Sequence, residues 1–282
     1  GTANVTFSTA AVGTFNAGLD LANSAAAGTT ALVNVLTGAK LNTGNLNLAV
    51  LGGTSTSATF NINGTNSGIL LAGAATLTVG HAGEGAAAIN VGTANDGGTL
   101  TTGSGLFKIN KTGTVTIGNG ANGGTLEVLG NITVDGGVLQ EMSDMSSFAW
   151  ATGKTLTIQN GGRVHFASSY TTAANSVHAL SGANSTFDIV GAINIRNTAQ
   201  VNVSSGASLA AGQIIVGAGG ASGTLSVDGA GSAVTALSDA SLWGSGGVAN
   251  VALSNQATAT LGGSLHLADS AATLVNVLSG AD

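Results

Sequence analysis

The residues of this chain best placed to do chemistry are carboxylates lying close in sequence to a cation or an imidazole. Asp135, Glu141 and Asp144 stand near one another, and Arg163 and His165 follow. Clustered carboxylates beside a lysine or arginine serve acid–base cleavage of acidic polysaccharides, the cation holding a developing anion. The chain carries 12 Asp and Glu in 282 residues. Spread over many repeats, they produce such neighbours by coincidence, so no catalytic residue is assigned and the chain is read as a non-enzyme.

Metal and cofactor chemistry fare no better. His81, His165, His178 and His266 share no ligand spacing such as HExxH, and each reads as a surface or turn residue. Asp96 and Asp228 are isolated and do not form the calcium-binding nonapeptide of secreted β-rolls. The glycine-rich GAGGASG is not followed by the lysine of a phosphate-binding loop. No metal site and no cofactor are assigned. Asn-x-Ser/Thr occurs at Asn4, Asn63, Asn131, Asn184 and Asn202, as an exposed surface would allow.

Aromatic side chains give a second kind of candidate. Residues 138–175 hold Phe148, Trp150, Phe166 and Tyr170, together with Met142 and Met145. Rings standing outside a regular ladder suit contact with a partner or a glycan. The competing reading has them filling a widened core or covering a lateral seam, because soluble proteins seldom expose apolar patches.

The elements that position these residues repeat along the chain. VGAGGASGTLSV, residues 216–227, is a glycine-rich turn followed by a strand with Leu225 and Val227 inward and Thr224 and Ser226 outward. Related units begin at Val91, Ile117, Leu242 and Leu267. Small-residue turns follow Ile158, Leu180, Val203, Val227, Leu253 and Leu278. The period is about 22–26 residues, too short for an independent core. Stacked directly on one another, such units pair in parallel, with aliphatic residues buried and Thr, Ser and Asn wet. The predicted fold is an all-β parallel β-helix, or β-solenoid, running through 1–282, with 138–175 an irregular stretch or lateral loop.

Composition agrees and excludes other classes. Charged residues are 6%, Gly numbers 46, and Pro and Cys are absent. Glycine supplies positive φ at corners, and a proline would remove a ladder donor. The 43% hydrophobic content argues against disorder. No apolar run is long enough for a membrane helix, and aromatics are too few for the girdles of a membrane barrel. Six Lys and Arg, spread singly, do not make a nucleic-acid surface.

Pieces such as VGAGGASGTLSVDGAGSAV and LSGANSTFDI resemble the repeats of autotransporter passenger domains and related bacterial surface β-helix proteins. The resemblance covers most of the chain outside 138–175. It implies a right-handed β-helix, export across the outer membrane of a Gram-negative-type cell, and an extracellular or cell-surface location.

LVNVLTGA (32–39) and LVNVLSGA (274–281) differ at one position. The sequence therefore stops inside a repeat, and an uncapped β-helix end pairs readily with another chain. Truncation of a longer passenger and end-to-end stacking into a fibre both account for this. The expected role is that of a rod-like building block of an extracellular fibre, sheath or adhesin stalk. The alternative is an adhesin binding cell-surface or host glycans through 138–175, and a polysaccharide-degrading enzyme is the third reading.

Overall fold

A computed structural model describes residues 1–23, 26–51, 55–94, 97–119, 121–144, 146–237, 247–267, 272–278 and 280–281, and the backbone of 241–243. Asp96 and Met145 lie outside the described residues. Every regular element among them is a β-strand, and no helix is long and apolar enough to cross a membrane. The chain forms two compact units, Gly1–Ala151 and Thr152–Asp282. Each is a parallel β-solenoid.

In the first unit, Thr2–Phe7, Thr30–Leu36, Ser57–Asn63, Ala86–Val91, Gly113–Ile117 and Val138–Glu141 succeed one another in a single sheet. Their registers stack Val5, Val33, Phe60, Ile89, Val115 and Leu139 in one inward column. Alternation does this: successive side chains point to opposite faces, so an apolar residue at every second position gives a dry side and a wet side. From Val33 to Leu139 the column is buried, while Val5, on the first strand, is 45% exposed.

The second sheet of this unit changes along its length. Val12–Leu21 and Lys40–Leu48 each run unbroken, and the next coil splits into Gly68–Leu71 and Leu77–Val79. Later coils keep three short strands, such as Ala86–Val91, Thr99–Thr101 and Phe107–Asn110. The earlier coils run longer than the 22–26 residues read from the turns, while Val91 pairs with Ile117 at the expected spacing of 26. Ser57 pairs with Ala86 and Gly68 with Thr99. The extra residues sit in connections between strands, where insertions disturb neither ladder nor core.

The outward face of the first unit carries an amide ladder. Thr6, Asn34, Asn61, Asn90, Thr116 and Gln140 share one column. Asn61 Nδ2 donates to Asn34 Oδ1 at 2.9 Å, and Asn90 Nδ2 donates to Asn61 Oδ1 at 2.9 Å. Gln140 Nε2 donates to Thr116 Oγ1 at 3.1 Å. Identical coil spacing places like side chains at hydrogen-bonding distance, as in other stacked parallel sheets.

In the second unit, Thr155–Gln159, Val177–Ser181, Ala199–Ser204, Gly223–Asp228, Ala249–Ser254 and Thr273–Val277 form one sheet. Ile158, Leu180, Val203, Val227 and Leu253 stack as the turn spacing predicts. The last step falls on Val277 rather than Leu278. Likewise Val216 pairs with Trp243, not Leu242. Within 216–227 the expected orientation holds, with Leu225 and Val227 buried and Thr224 and Ser226 half-exposed.

The corners between strands use left-handed backbone. Asn160 and Gly161, Ser205 and Gly206, and Asn255 and Gln256 all have positive φ. Gly217 shows why the turn of the 216–227 unit needs glycine. Its φ is +71°, and a Cβ there would lie 2.7 Å from the backbone carbonyl carbon of Val248.

Residues 138–175 are not a lateral loop. Val138–Glu141 and Ser147–Trp150 pair with Gly113–Ile117 and Thr125–Val128 in the first unit. Thr155–Gln159 and Arg163–Phe166 pair with Val177–Ser181 and Thr186–Ile195 in the second. These strands look irregular in sequence because Glu141, Phe148, Trp150 and Phe166 take inward positions alongside the aliphatic Leu139, Leu156, Ile158 and Val164.

Candidate functional site

Phe166 and Tyr170 correct the expectation of partner contact. They are 1% and 7% exposed. Phe166 stands in register with Ile189, and Tyr170 with Ile193, so both occupy inward columns. Their rings stack at a centroid distance of 4.8 Å, and both meet Phe187 edge-on. Buried rings favour these offset and T-shaped contacts.

His178 completes this cluster. Expected at the surface, it is fully buried, in register with Leu156 on one side and Val201 on the other. The Tyr170 hydroxyl lies 2.8 Å from His178 Nε2, and the imidazole lies parallel to the Phe187 ring. Burial lowers the histidine pKa to about 3, a hydrogen bond with the Gln200 backbone opposing it, and burial pushes the Tyr170 hydroxyl up. His178 is therefore neutral at neutral pH. Neutral imidazole has one N–H and one lone-pair nitrogen, so Nε2 and the phenol share a single hydrogen bond whose direction follows the tautomer. Nothing in the sequence marked His178, because its neighbours alternate as they would around any valine.

Phe148 and Trp150 sit differently. They belong to Ser147–Trp150, which among the described residues pairs with Thr125–Val128 alone. In register with Leu126 and Val128, they occupy inward columns, yet both are half-exposed. The indole Nε1 donates to the Gly130 carbonyl at 3.1 Å.

Asp135 forms an ion pair with Lys108 at 3.2 Å in the first unit. Arg163 forms one with Asp188 at 3.2 Å in the second, where His165 stands in register with Asp188. Glu141 is 3% exposed and continues the inward column below Ile117. Asp144 is exposed. The two ion pairs each link successive coils. Among the described residues no three His, Asp or Glu side chains gather as a metal site would require. His81 is a turn residue, its Nδ1 accepting the Gly83 backbone N–H at 3.1 Å. Asn63 is 4% exposed and accepts the Ala94 N–H, so it offers no glycosylation surface.

Among the open grooves of the described surface are these two. One, in the second unit, lies beside the Arg163–Asp188 pair and the exposed Val190 and Leu237. The other, in the first unit, surrounds Lys40 and Gly68.

No family model matches the chain, and no curated protein matches it. Among solved structures it matches the crystal structure of a TibC-catalyzed hyper-glycosylated TibA55-350 fragment. Identity is 16%, coverage is 98% of this chain and 100% of that one, and the TM-score is 0.28. A likeness so loose decides nothing about function, and the assignment of the fold rests on the strand registers.

Proposed function

We propose that the chain is an exported, non-enzymatic structural protein of the bacterial surface, a solenoidal building block of a fibre, sheath or adhesin stalk. The observation that carries this reading is the ladder of the first unit, aliphatic inside and amide outside, repeated coil after coil. Such stacking gives an extended, stiff element without disulfides. The few charged side chains are partly committed to coil-to-coil pairs, Lys108 with Asp135 and Arg163 with Asp188.

End-to-end association extends this proposal. Among the described residues, Thr2–Phe7 pairs with Thr30–Leu36 alone and Thr273–Val277 with Ala249–Ser254 alone. The inward Val5 and Val277 beside these edges are 45% and 58% exposed. A flat edge with aliphatic residues at its foot accepts a further parallel strand, whether from a second copy or from adjoining chain. Negative-stain microscopy of this chain over a range of concentrations tests it. Filaments that lengthen with concentration support the reading. Dispersed short particles at every concentration contradict it.

A second reading, an adhesin that engages cell-surface or host glycans, draws on the half-exposed Phe148 and Trp150. Phe148→Ala with Trp150→Ala should abolish adhesion to glycan-coated surfaces while leaving particle morphology intact. Unchanged adhesion removes that reading.

A further inference from the structure

The outward face of the first unit dips where a side chain is missing. Lys40, Gly68 and Thr99 follow one another across three coils. The Lys40 chain arches over the gap: a Cβ placed on Gly68 would lie 3.3 Å from Lys40 Nζ and 3.3 Å from the Thr99 backbone oxygen. The groove holds about 440 Å³. Val12 and Leu70 flank it, 67% and 47% exposed on a face otherwise made largely of Thr, Asn and Ser.

We propose that this groove binds a carboxylated polysaccharide, the Lys40 ammonium meeting the sugar carboxylate. Leu70 and Val12 lie under the C–H face of a sugar ring, and Asn42, Thr99 and Thr101 meet its hydroxyls. Thr101 Oγ1 already donates to Glu127 Oε2 at 3.2 Å, which leaves its lone pairs to accept.

Three features select this occupant. First, the described residues place no carboxylate in ion-pair distance of Lys40, whereas Lys108 and Arg163 have Asp partners. An exposed ammonium beside apolar surface and hydroxyl and amide groups, with the Glu127 carboxylate three coils away, matches an anionic polyol. Second, Gly68–Leu71 pairs on both sides, with Lys40–Leu48 and with Thr99–Thr101, so a peptide finds no sheet edge to extend. Third, coils succeed one another at ~4.8 Å, which lets a chain of sugars run from one coil to the next. The site lies outside the structural role proposed above and does not depend on it.

Calorimetric titration of the whole chain with hexagalacturonate tests the proposal, with maltohexaose as the neutral control. Saturable binding is expected for hexagalacturonate alone, weakening as salt is raised. Lys40→Gln keeps most of the stem and removes the charge, and it should weaken binding about tenfold or more. Gly68→Thr should close the dip with a similar loss. A matching thermal midpoint for Lys40→Gln shows that the fold is kept. Absence of saturable binding by the unmodified chain, equal binding of maltohexaose, or undiminished binding by Lys40→Gln each overturns the assignment.

Discussion

The Tyr170 hydroxyl lies 2.8 Å from His178 Nε2, inside a core otherwise built largely from Val, Leu, Ile and Phe. The two residues come from different strands, Tyr170–Thr171 and Val177–Ser181, and each satisfies a polar atom the other would leave buried. A buried group that loses its partner costs about 1–3 kcal/mol, whereas replacing both members with apolar residues of similar shape is far milder. Tyr170→Phe alone and His178→Leu alone should each destabilise the second unit by about that amount. The double variant should cost less than the two singles together. Chemical denaturation of the four proteins measures the coupling, and strict additivity would show that the pair does not act as one.

The same histidine sets an acid limit. Its folded pKa is about 3 against 6.5 in an unfolded chain. Below pH 6.5 the unfolded chain takes up a proton that the folded chain refuses, so stability falls as pH falls, down to about pH 3. The slope from this one group approaches about 1.4 kcal/mol per pH unit. Above pH 6.5 it contributes no pH dependence. Thermal midpoints between pH 7 and pH 4.5 should drop more steeply for the unmodified chain than for the Tyr170→Phe, His178→Leu double variant. Parallel curves would remove His178 as the cause.

The amide ladder makes a prediction for the first unit. Asn61 donates to Asn34 and accepts from Asn90. Asn61→Ala breaks both bonds on a half-exposed face, where water compensates in part, and should cost about 1–2 kcal/mol. Asn61→Thr, which suits a strand but cannot bridge in both directions, should recover only part of that. Urea midpoints decide between these outcomes, and an unchanged midpoint for Asn61→Ala would make the ladder decorative.

Much of the architecture was legible before any coordinates, for reasons visible at particular residues. The turns after Ile158, Leu180, Val203 and Val227 repeat because a corner must turn through left-handed backbone, which Gly and Asn tolerate best. Leu225 and Val227 face inward because alternation leaves them no other side. The one-residue slips at Val277 and Trp243 reflect coil spacings of 24 and 27 residues, which the composition of the turns does not mark. The aromatic stretch departs from its sequence pattern for a physical reason as well. A parallel ladder requires an inward residue to fill its layer and does not require it to be aliphatic. Phe166, Tyr170, Phe187 and His178 do this together, while Ala211 and Ala236 share the Phe166 column. Lys40 and Gly68 gave no signal because their relation exists only across coils, 28 residues apart in sequence.

Register between coils is the claim on which both units stand, and the absence of native cysteine allows it to be tested by disulfide trapping. Ser226 pairs with Ala252, and Ala252 pairs with Asn276, all on the outward face. Adjacent paired positions sit within disulfide range, whereas positions two coils apart lie near ~10 Å and do not. Under mild oxidation Ser226→Cys with Ala252→Cys should close rapidly within one molecule, and Ser226→Cys with Asn276→Cys should remain reduced. Equal yields from the two pairs, or cross-links only between molecules, would contradict the stacked solenoid.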